Sequence, residues 1–305
     1  MRFCTTRTLT TFVLFSGALA SPLAAQRVLD WPLHTTAGPE AVMRGAEAAF
    51  WNIAGIAPRS GRGEVMIADQ RTPNASSISG FAAAGSWRLD NRTTLGAAYQ
   101  HVGIDDIGET STTPLPDAEQ PTTSIGEDQF TLGLSHALGE AVTAGAGFKY
   151  DRTNAGSFLP ADQAQASDFK ENTTTLEAGF LARAPHLFHP TVGGTVSTQG
   201  GGVNYAGGLE AGTTVHSVDV TLGYGLRGGE DFRVIEHRIG ITGSWRQIIA
   251  ATAGLVTAKA GSERSWEPVA GASLRVSRYE IGFLREMLSN DFGAAYSFRF
   301  RIGLE

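Results

Sequence analysis

The sequence has 305 residues, a formal net charge of −6, 38 glycines and one cysteine, and 18% of its residues are charged. Soluble domains average roughly 25% charged residues and roughly 7% glycine, so this composition disfavours an ordinary water-soluble enzyme. The acid excess and the lack of a basic patch argue against a nucleic-acid partner. A single cysteine excludes a disulfide framework and a thiolate metal site.

Residues 1–25 form a predicted export signal. Arg2 and Arg7 give a positive start, residues 9–20 are a short apolar stretch, and small residues at 23–25 suit cleavage. The apolar stretch is too short to span a bilayer as a helix. Cys4 lies inside this segment, so the predicted mature chain has no cysteine.

Residues 26–62 are predicted to be a periplasmic or plug segment. The alanine-rich run 41–51 follows Pro39 and breaks the alternation found elsewhere in the chain, which favours one or two helical turns. Because this run precedes the first predicted strand, we expect it at the periplasmic mouth of a barrel or inside its lumen.

From residue 63 to residue 305, apolar residues recur at every second position, the period of a β-strand. The pattern predicts about fourteen strands, with twelve as the alternative count. They lie near residues 63–69, 78–89, 92–103, 128–138, 141–150, 173–183, 190–198, 204–213, 216–226, 233–245, 247–258, 267–277, 278–286 and 292–303.

Short and long connections alternate between these strands, and the longest are 104–127 and 151–172. This is typical of an all-β, antiparallel up-and-down barrel of the bacterial outer membrane, with both chain ends on the periplasmic side. In the last strand, the aromatic face would meet lipid and Arg299 and Arg301 would meet a wet interior.

The alternative fold is a secreted β-sandwich, whose strands also alternate. Its water-facing side would carry many Lys and Glu side chains, whereas here that side is mostly Gly, Ala, Ser and Thr, which favours a crowded lumen.

The stretch "AAFWNIAGIA" at 48–57 resembles the N-terminal signature of the FadL-like outer-membrane barrels, which include long-chain fatty acid and hydrocarbon transporters and type IX secretion shuttle-like proteins. Trp51, Asn52, Ala54 and Gly55 match that signature, while Ile53 stands where proline is usual. The resemblance implies a short helical plug that closes the lumen and apolar ligands that leave sideways through the wall.

On this resemblance, the candidate ligand or plug residues are Phe50, Trp51, Asn52 and Gly55. The alternative for Phe50 and Trp51 is simple packing against the wall, because a buried aromatic needs no ligand to explain it. Sideways exit needs a weak place in the wall, and the glycine-rich run 192–208 is predicted to be kinked or thin.

Charged residues on the polar faces of the strands form the predicted lumen network. They are Lys149, Glu177, Arg183, Asp219, Arg299 and Arg301.

No catalytic residue, metal or cofactor is predicted. The sequence has no Gly-x-Ser-x-Gly elbow, and His186 and His189 have no third ligand nearby. His101 and Asp106 near a predicted rim are read as ordinary surface groups.

The leading hypothesis for function is passive transport of hydrophobic, fatty acid-like molecules by a barrel embedded in outer-membrane lipid. One alternative is a secretion or surface-attachment barrel that acts through other outer-membrane or secreted proteins. The other is a general porin with an open lumen.

Overall fold

The computed structural model describes residues 37–72, 78–108, 122–158, 165–185, 188–199, 202–229, 234–260, 263–287 and 294–305. The predicted export signal and residues 26–36 lie outside these ranges. Within them, no helix is both long and apolar enough to cross a membrane.

Fourteen antiparallel strands make up most of the described chain. Their bounds are β1 Gly63–Arg71, β2 Ile78–Arg88, β3 Thr93–Gly108, β4 Thr122–Ala137, β5 Val142–Phe158, β6 Gln165–Arg183, β7 Thr191–Gln199, β8 Gly202–Val215, β9 Val218–Gly228, β10 Val234–Trp245, β11 Ile249–Ala260, β12 Glu263–Val276, β13 Tyr279–Met287 and β14 Ala294–Leu304.

Each strand pairs with the next one along the chain, and β14 pairs with β1 to close the barrel. The closing ladder runs from Gly63 opposite Leu304 to Arg71 opposite Tyr296. Closure pairs the backbone groups around the ring, which a wall in lipid requires. The predicted up-and-down barrel of fourteen strands is confirmed.

The two ends of the barrel differ. Short turns, such as residues 138–141 and 277–278, lie at the same end as both Gly63 and Leu304. Outer-membrane barrels have short turns on the periplasmic side, so we name this the periplasmic end and the opposite one the outer end.

The side chains alternate between lipid and lumen as predicted. Phe298 on the outer face of β14 is 57% exposed, whereas Arg301 on the lumen face is 3% exposed. Leu132 and Leu134 on β4 are also largely exposed. An apolar outward band of this kind is what a membrane-spanning barrel presents to lipid.

Four strands reach further outward than predicted. β3 continues to Gly108, β4 begins at Thr122, β5 continues to Phe158 and β6 begins at Gln165. These extensions occupy much of the predicted connections 104–127 and 151–172. Above the membrane both faces of a strand meet water, so the alternation that reveals a strand in the sequence is lost.

The helical turns expected near the N-terminus form as three 3₁₀ turns, Glu40–Val42, Ala46–Phe50 and Ile53–Gly55. They belong to a segment of residues 37–62, which we call the N-terminal segment. Its residues 37–56 are almost all buried, since they lie inside the barrel against the inner faces of the strands.

The stretch 192–208 was predicted to be kinked or thin, and its described residues show no β-bulge. The β6–β7 and β7–β8 ladders run through Thr191–Gln199 without a register shift. The glycines there have another role, because a Cβ on Gly193 would lie 2.0 Å from the carbonyl oxygen of Ala41. Gly193 thus gives the N-terminal segment room to pass close to the wall.

Candidate functional site

Asn52 fastens the N-terminal segment to itself and to the wall. Its side-chain Nδ2 donates to the carbonyl oxygens of Ala41 at 2.5 Å and Phe180 at 3.0 Å. Its Oδ1 accepts from the amide of Ala54 at 3.0 Å, which caps the third 3₁₀ turn. One fully buried amide side chain therefore joins two parts of the segment to β6.

A lysine–glutamate pair on β5 and β6 holds the segment on both sides of Asn52. Lys149 Nζ lies 2.6 Å from Glu177 Oε2 and donates to the carbonyl oxygen of Phe50 at 2.8 Å. Glu177 Oε1 accepts from the amide of Ile53 at 3.0 Å. Both charges are thus paired, and both also satisfy backbone groups of the segment.

Glu47 forms ion pairs between the segment and the wall. It is fully buried, and its carboxylate lies 3.1 Å from Arg299 and 2.5 Å from Arg301 on β14. Glu280 on β13 meets the same two guanidinium groups, each at 3.1 Å. Each of the two guanidinium groups is therefore paired with both carboxylates, and buried ions require such pairing.

Glu64 at the start of β1 completes this cluster. Its carboxylate accepts from the amides of Ala46 at 3.0 Å and Arg59 at 3.1 Å, and lies 3.3 Å from Arg301. Gly45 packs directly on it, with φ of +84° and room for no side chain, since a Cβ would lie 2.2 Å from Glu64 Oε1. Only glycine suits that backbone and that space.

A second ionic cluster holds the beginning of the segment. Arg238 on β10 is 2% exposed. It lies 3.4 Å from Glu236 on the same strand, 3.6 Å from Glu40 and 3.8 Å from Glu286 on β13. Glu40 is the contribution of the N-terminal segment to this cluster.

The wall of β1–β3 presents an apolar patch to the segment. Phe50 and Trp51 are buried in one cluster with small and aliphatic wall residues. Those wall residues are Met66 and Ala68 on β1, Ala82 and Ala84 on β2, and Ala98 and Val102 on β3. An apolar patch on the lumen side is unusual, because barrel interiors are generally polar.

Glycines let the wall approach the segment elsewhere. A Cβ on Gly145 would lie 2.6 Å from the amide nitrogen of Ala54, and one on Gly133 would lie 2.3 Å from the side chain of Ile53. On the opposite side, a Cβ on Gly223 would lie 2.4 Å from Pro39. At these glycines the wall therefore meets the segment with bare backbone.

The periplasmic half of the lumen beside β8–β12 is less filled. Its inward side chains include Thr221, Thr242, Ser244, Thr252 and Ser273, and all are only half-buried. The hydroxyls of Thr242 and Thr252 lie 3.1 Å apart across β10 and β11. This sector is a hydroxyl-lined vestibule that opens toward the periplasmic end.

The structure places most of the predicted site residues on the segment or against it. Phe50, Trp51, Asn52 and Gly55 are buried. Lys149, Glu177, Arg299 and Arg301 contact the segment.

Two predicted lumen charges lie apart from these contacts. Arg183 is exposed at the periplasmic end. Asp219 accepts from the hydroxyl of Thr214 at 2.6 Å, beside the β8–β9 turn.

Sequence reasoning missed Glu47, Glu64, Glu280 and Arg238. Glu280 and Glu64 lie on predicted strands that flank β14. Aligning those strands with β14 could have shown that both glutamates lie near Arg301. Glu47 lies in a segment without periodicity, so no local signal marks it. In the described ranges, no three His, Cys, Asp and Glu side chains gather as a metal site would require.

No protein-family model matches the chain, and no curated protein matches it in sequence. Solved structures match it in fold. The toluene transporter TbuX of Ralstonia pickettii has a TM-score of 0.57 at 10% identity, covering 86% of this chain and 94% of that one.

Two further barrels are similar to the same degree. A FadL homologue of Pseudomonas aeruginosa has a TM-score of 0.56 at 10% identity, over 87% of this chain and 96% of that one. The toluene transporter TodX of Pseudomonas putida has a TM-score of 0.56 at 10% identity, over 87% and 95%.

The class of protein follows from the fold and the apolar outward band together, which indicate a β-barrel of the bacterial outer membrane. More particularly, the fold is similar to that of the two toluene transporters and the FadL homologue, and the likeness covers nearly the whole of each solved structure.

Proposed function

We propose that this protein is a passive outer-membrane channel for hydrophobic small molecules, such as fatty acids or aromatic hydrocarbons, and that the N-terminal segment is the plug of its lumen. The proposal assigns no catalytic reaction to the barrel. The observation that carries it is the buried apolar patch of β1–β3 against Phe50 and Trp51. A polar solute gains nothing from such a surface, whereas an apolar one is stabilised by leaving water.

The fold supports the same substrate class. Two of the similar structures are described as toluene transporters and one as a FadL homologue. The buried segment argues against the general porin, because a porin keeps an open, water-filled lumen.

Cargo in this proposal leaves sideways through the wall at β2 and β3, next to the apolar patch. Small side chains line the lumen face of the wall there, since Ala84 of β2 pairs with Ala98 of β3 and Ala82 belongs to the same apolar cluster. The β3–β4 ladder also shifts register between Ile104 and Ile107, toward the outer end of the same wall. Bulges of this kind bend a strand and weaken local pairing.

Uptake tests the transport claim. Host cells that lack their own fatty acid and hydrocarbon channels would express the protein and receive a labelled long-chain fatty acid or labelled toluene. We expect uptake above that of cells with an empty vector. Uptake equal to the empty vector for both labels would reject hydrophobic transport, and a large open conductance in a planar bilayer would favour the porin instead.

A disulfide staple tests the sideways exit. Ala84 and Ala98 are register partners on the lumen face, and such partners lie within the Cα distance a disulfide needs. We expect the oxidised A84C/A98C variant to lose most uptake and to regain it on reduction. The matched control is T242C/T252C, also register partners on the lumen face, which should keep its uptake; equal losses from both staples would reject exit at β2–β3.

A further inference from the structure

The outward face of β2–β5 carries a groove lined by glycines, small residues and several polar side chains. Gly103 on β3 and Gly126 on β4 are register partners, with Ser79 of β2 on one side and Asn154 of β5 on the other. Two adjacent glycines remove side chains from the middle of this row. The result is a depression of about 320 Å³ on the outside of the barrel.

The groove lies just above the aromatic band on the lipid side. Two outward positions nearer the periplasmic end than Gly103 and Gly126 are the rings of Tyr99 and Phe130, whose centroids are 4.9 Å apart. The ring of Phe81 lies beside Tyr99. Aromatic girdles mark the boundary between the acyl chains and the headgroups. The groove therefore sits at the level of the outer-leaflet headgroups.

Both hydrogen-bond donors and hydrogen-bond acceptors line the groove. His101, Asp105, Ser79, Ser124 and Asn154 contribute polar side chains. Among the described residues, none donates a hydrogen bond to the buried Asn154 Oδ1.

A short network fixes the imidazole at the edge of the groove. His101 Nδ1 lies 2.9 Å from Asp128 Oδ1, and the hydroxyl of Tyr99 donates to the same oxygen at 2.8 Å. The other ring nitrogen, Nε2, points over the glycine floor, since a Cβ on Gly103 would lie 3.5 Å from it. The network therefore presents one nitrogen to whatever occupies the groove.

Cationic side chains lie next to the groove. Arg152 is the register partner of Asp128, and Lys170 is the register partner of Asn154; both are exposed. Below the aromatic band on the same face, Leu132 and Leu134 are 55% and 47% exposed, as acyl-chain contacts would be.

We propose that this groove binds the phosphorylated sugar headgroup of an outer-leaflet glycolipid. Sugars offer many donors and acceptors and pack flat against a floor without side chains, and a phosphate pairs with Arg and Lys. The acyl chains of such a lipid would lie along Phe130, Leu132 and Leu134. The site is outside the barrel and does not depend on transport through the lumen.

Binding of a purified lipopolysaccharide without its O-chain tests the proposal. The protein would be the detergent-solubilised, folded barrel, with folding checked by its mobility on unheated gels. We expect Gly126→Val, which fills the groove, and His101→Ala, which removes the imidazole, to weaken binding by roughly tenfold each. A Cβ on Gly126 would meet its nearest neighbour, the His101 ring, at 3.7 Å, which is an ordinary contact.

His237→Ala is the matched control. Its imidazole also lies on the outward face beside a tyrosine, 2.7 Å from the hydroxyl of Tyr224, but outside the groove. We expect it to bind like the wild type. Unchanged binding by both Gly126→Val and His101→Ala, or an equal loss in His237→Ala, would overturn the groove as the site.

A second arm uses the soluble phosphorylated core oligosaccharide released from the same lipopolysaccharide. We expect it to bind more weakly than the intact lipid, because it lacks the acyl chains that contact Leu132 and Leu134. Equal affinity for the two would overturn the lipid as the source and make the groove a site for free oligosaccharides.

Discussion

The N-terminal segment meets the two sides of the lumen differently. Toward β5, β6 and β14 it is held by charge, with Glu47 2.5 Å from Arg301 and Lys149 2.8 Å from the carbonyl oxygen of Phe50. Toward β9–β11 it rests mainly on glycines, and the ion pair Glu40–Arg238 there spans 3.6 Å. Ion pairs and hydrogen bonds therefore hold the segment on the side of β5, β6 and β14. On the side of β9–β11 the segment is held mainly by close packing, and the hydroxyl-lined vestibule lies between it and the periplasmic end.

The largest effect should come from Glu47→Ala. It leaves the buried guanidinium groups of Arg299 and Arg301 with one carboxylate fewer, a change that costs about 3–5 kcal/mol when a buried pair is broken. We expect the midpoint of urea unfolding in detergent micelles to fall accordingly. Asp219→Asn, on the vestibule side, should change the free energy of unfolding by less than about 0.5 kcal/mol. Equal losses of stability in the two variants would contradict the proposed difference between the two sides of the lumen.

A smaller loss should follow from Glu177→Gln. The amide can still accept from the backbone of Ile53, but it no longer offsets the charge of Lys149, and hydrogen bonds to charged groups are worth about 1.5–3 kcal/mol. The measurement is the same unfolding midpoint. Thr242→Val is the control, since it removes a half-buried hydroxyl on the vestibule side, and a loss there as large as in Glu177→Gln would contradict the account.

The smallest effect should come from Gly133→Ala. Its Cβ would overlap Ile53, and overpacking of this kind costs about 1–3 kcal/mol. Ile53→Ala in the same chain should recover part of the loss, because it removes the overlapping atoms. Gly207→Ala, whose Cβ would meet nothing closer than 3.8 Å, should be neutral; absence of any rescue would show that Ile53 is not what Gly133 accommodates.

Much of the fold could be predicted because lipid on one side and water on the other impose a strict alternation. β14 shows this well: its aromatic and arginine faces follow directly from the sequence, so the inward direction of Arg299 and Arg301 was predictable. The same argument explains the errors at the outer end, where β6 contains polar residues such as Lys170, Glu171 and Asn172 that give no apolar alternation.

The candidate site was only partly predictable. Asn52 and Gly55 could be found through a resemblance in ten residues, and Lys149 and Glu177 through strand alternation. Glu47 could not, because its partner Arg299 is 252 residues away in the sequence. The glycines near 193 suggested a weak wall, but they make room for the N-terminal segment. The sequence does not distinguish a glycine that bends a strand from one that makes room for another segment.

The central claim is that the N-terminal segment seals the lumen beside β4 and leaves it open beside β11. Single cysteines at Ser135, which is 2% exposed, and at Thr252, which is half-buried in the vestibule, test it directly with a charged, membrane-impermeant thiol reagent on the folded protein. We predict that Thr252→Cys reacts roughly tenfold faster or more than Ser135→Cys, because reaction at 135 requires the segment to open locally. Equal rates at the two positions would contradict the account.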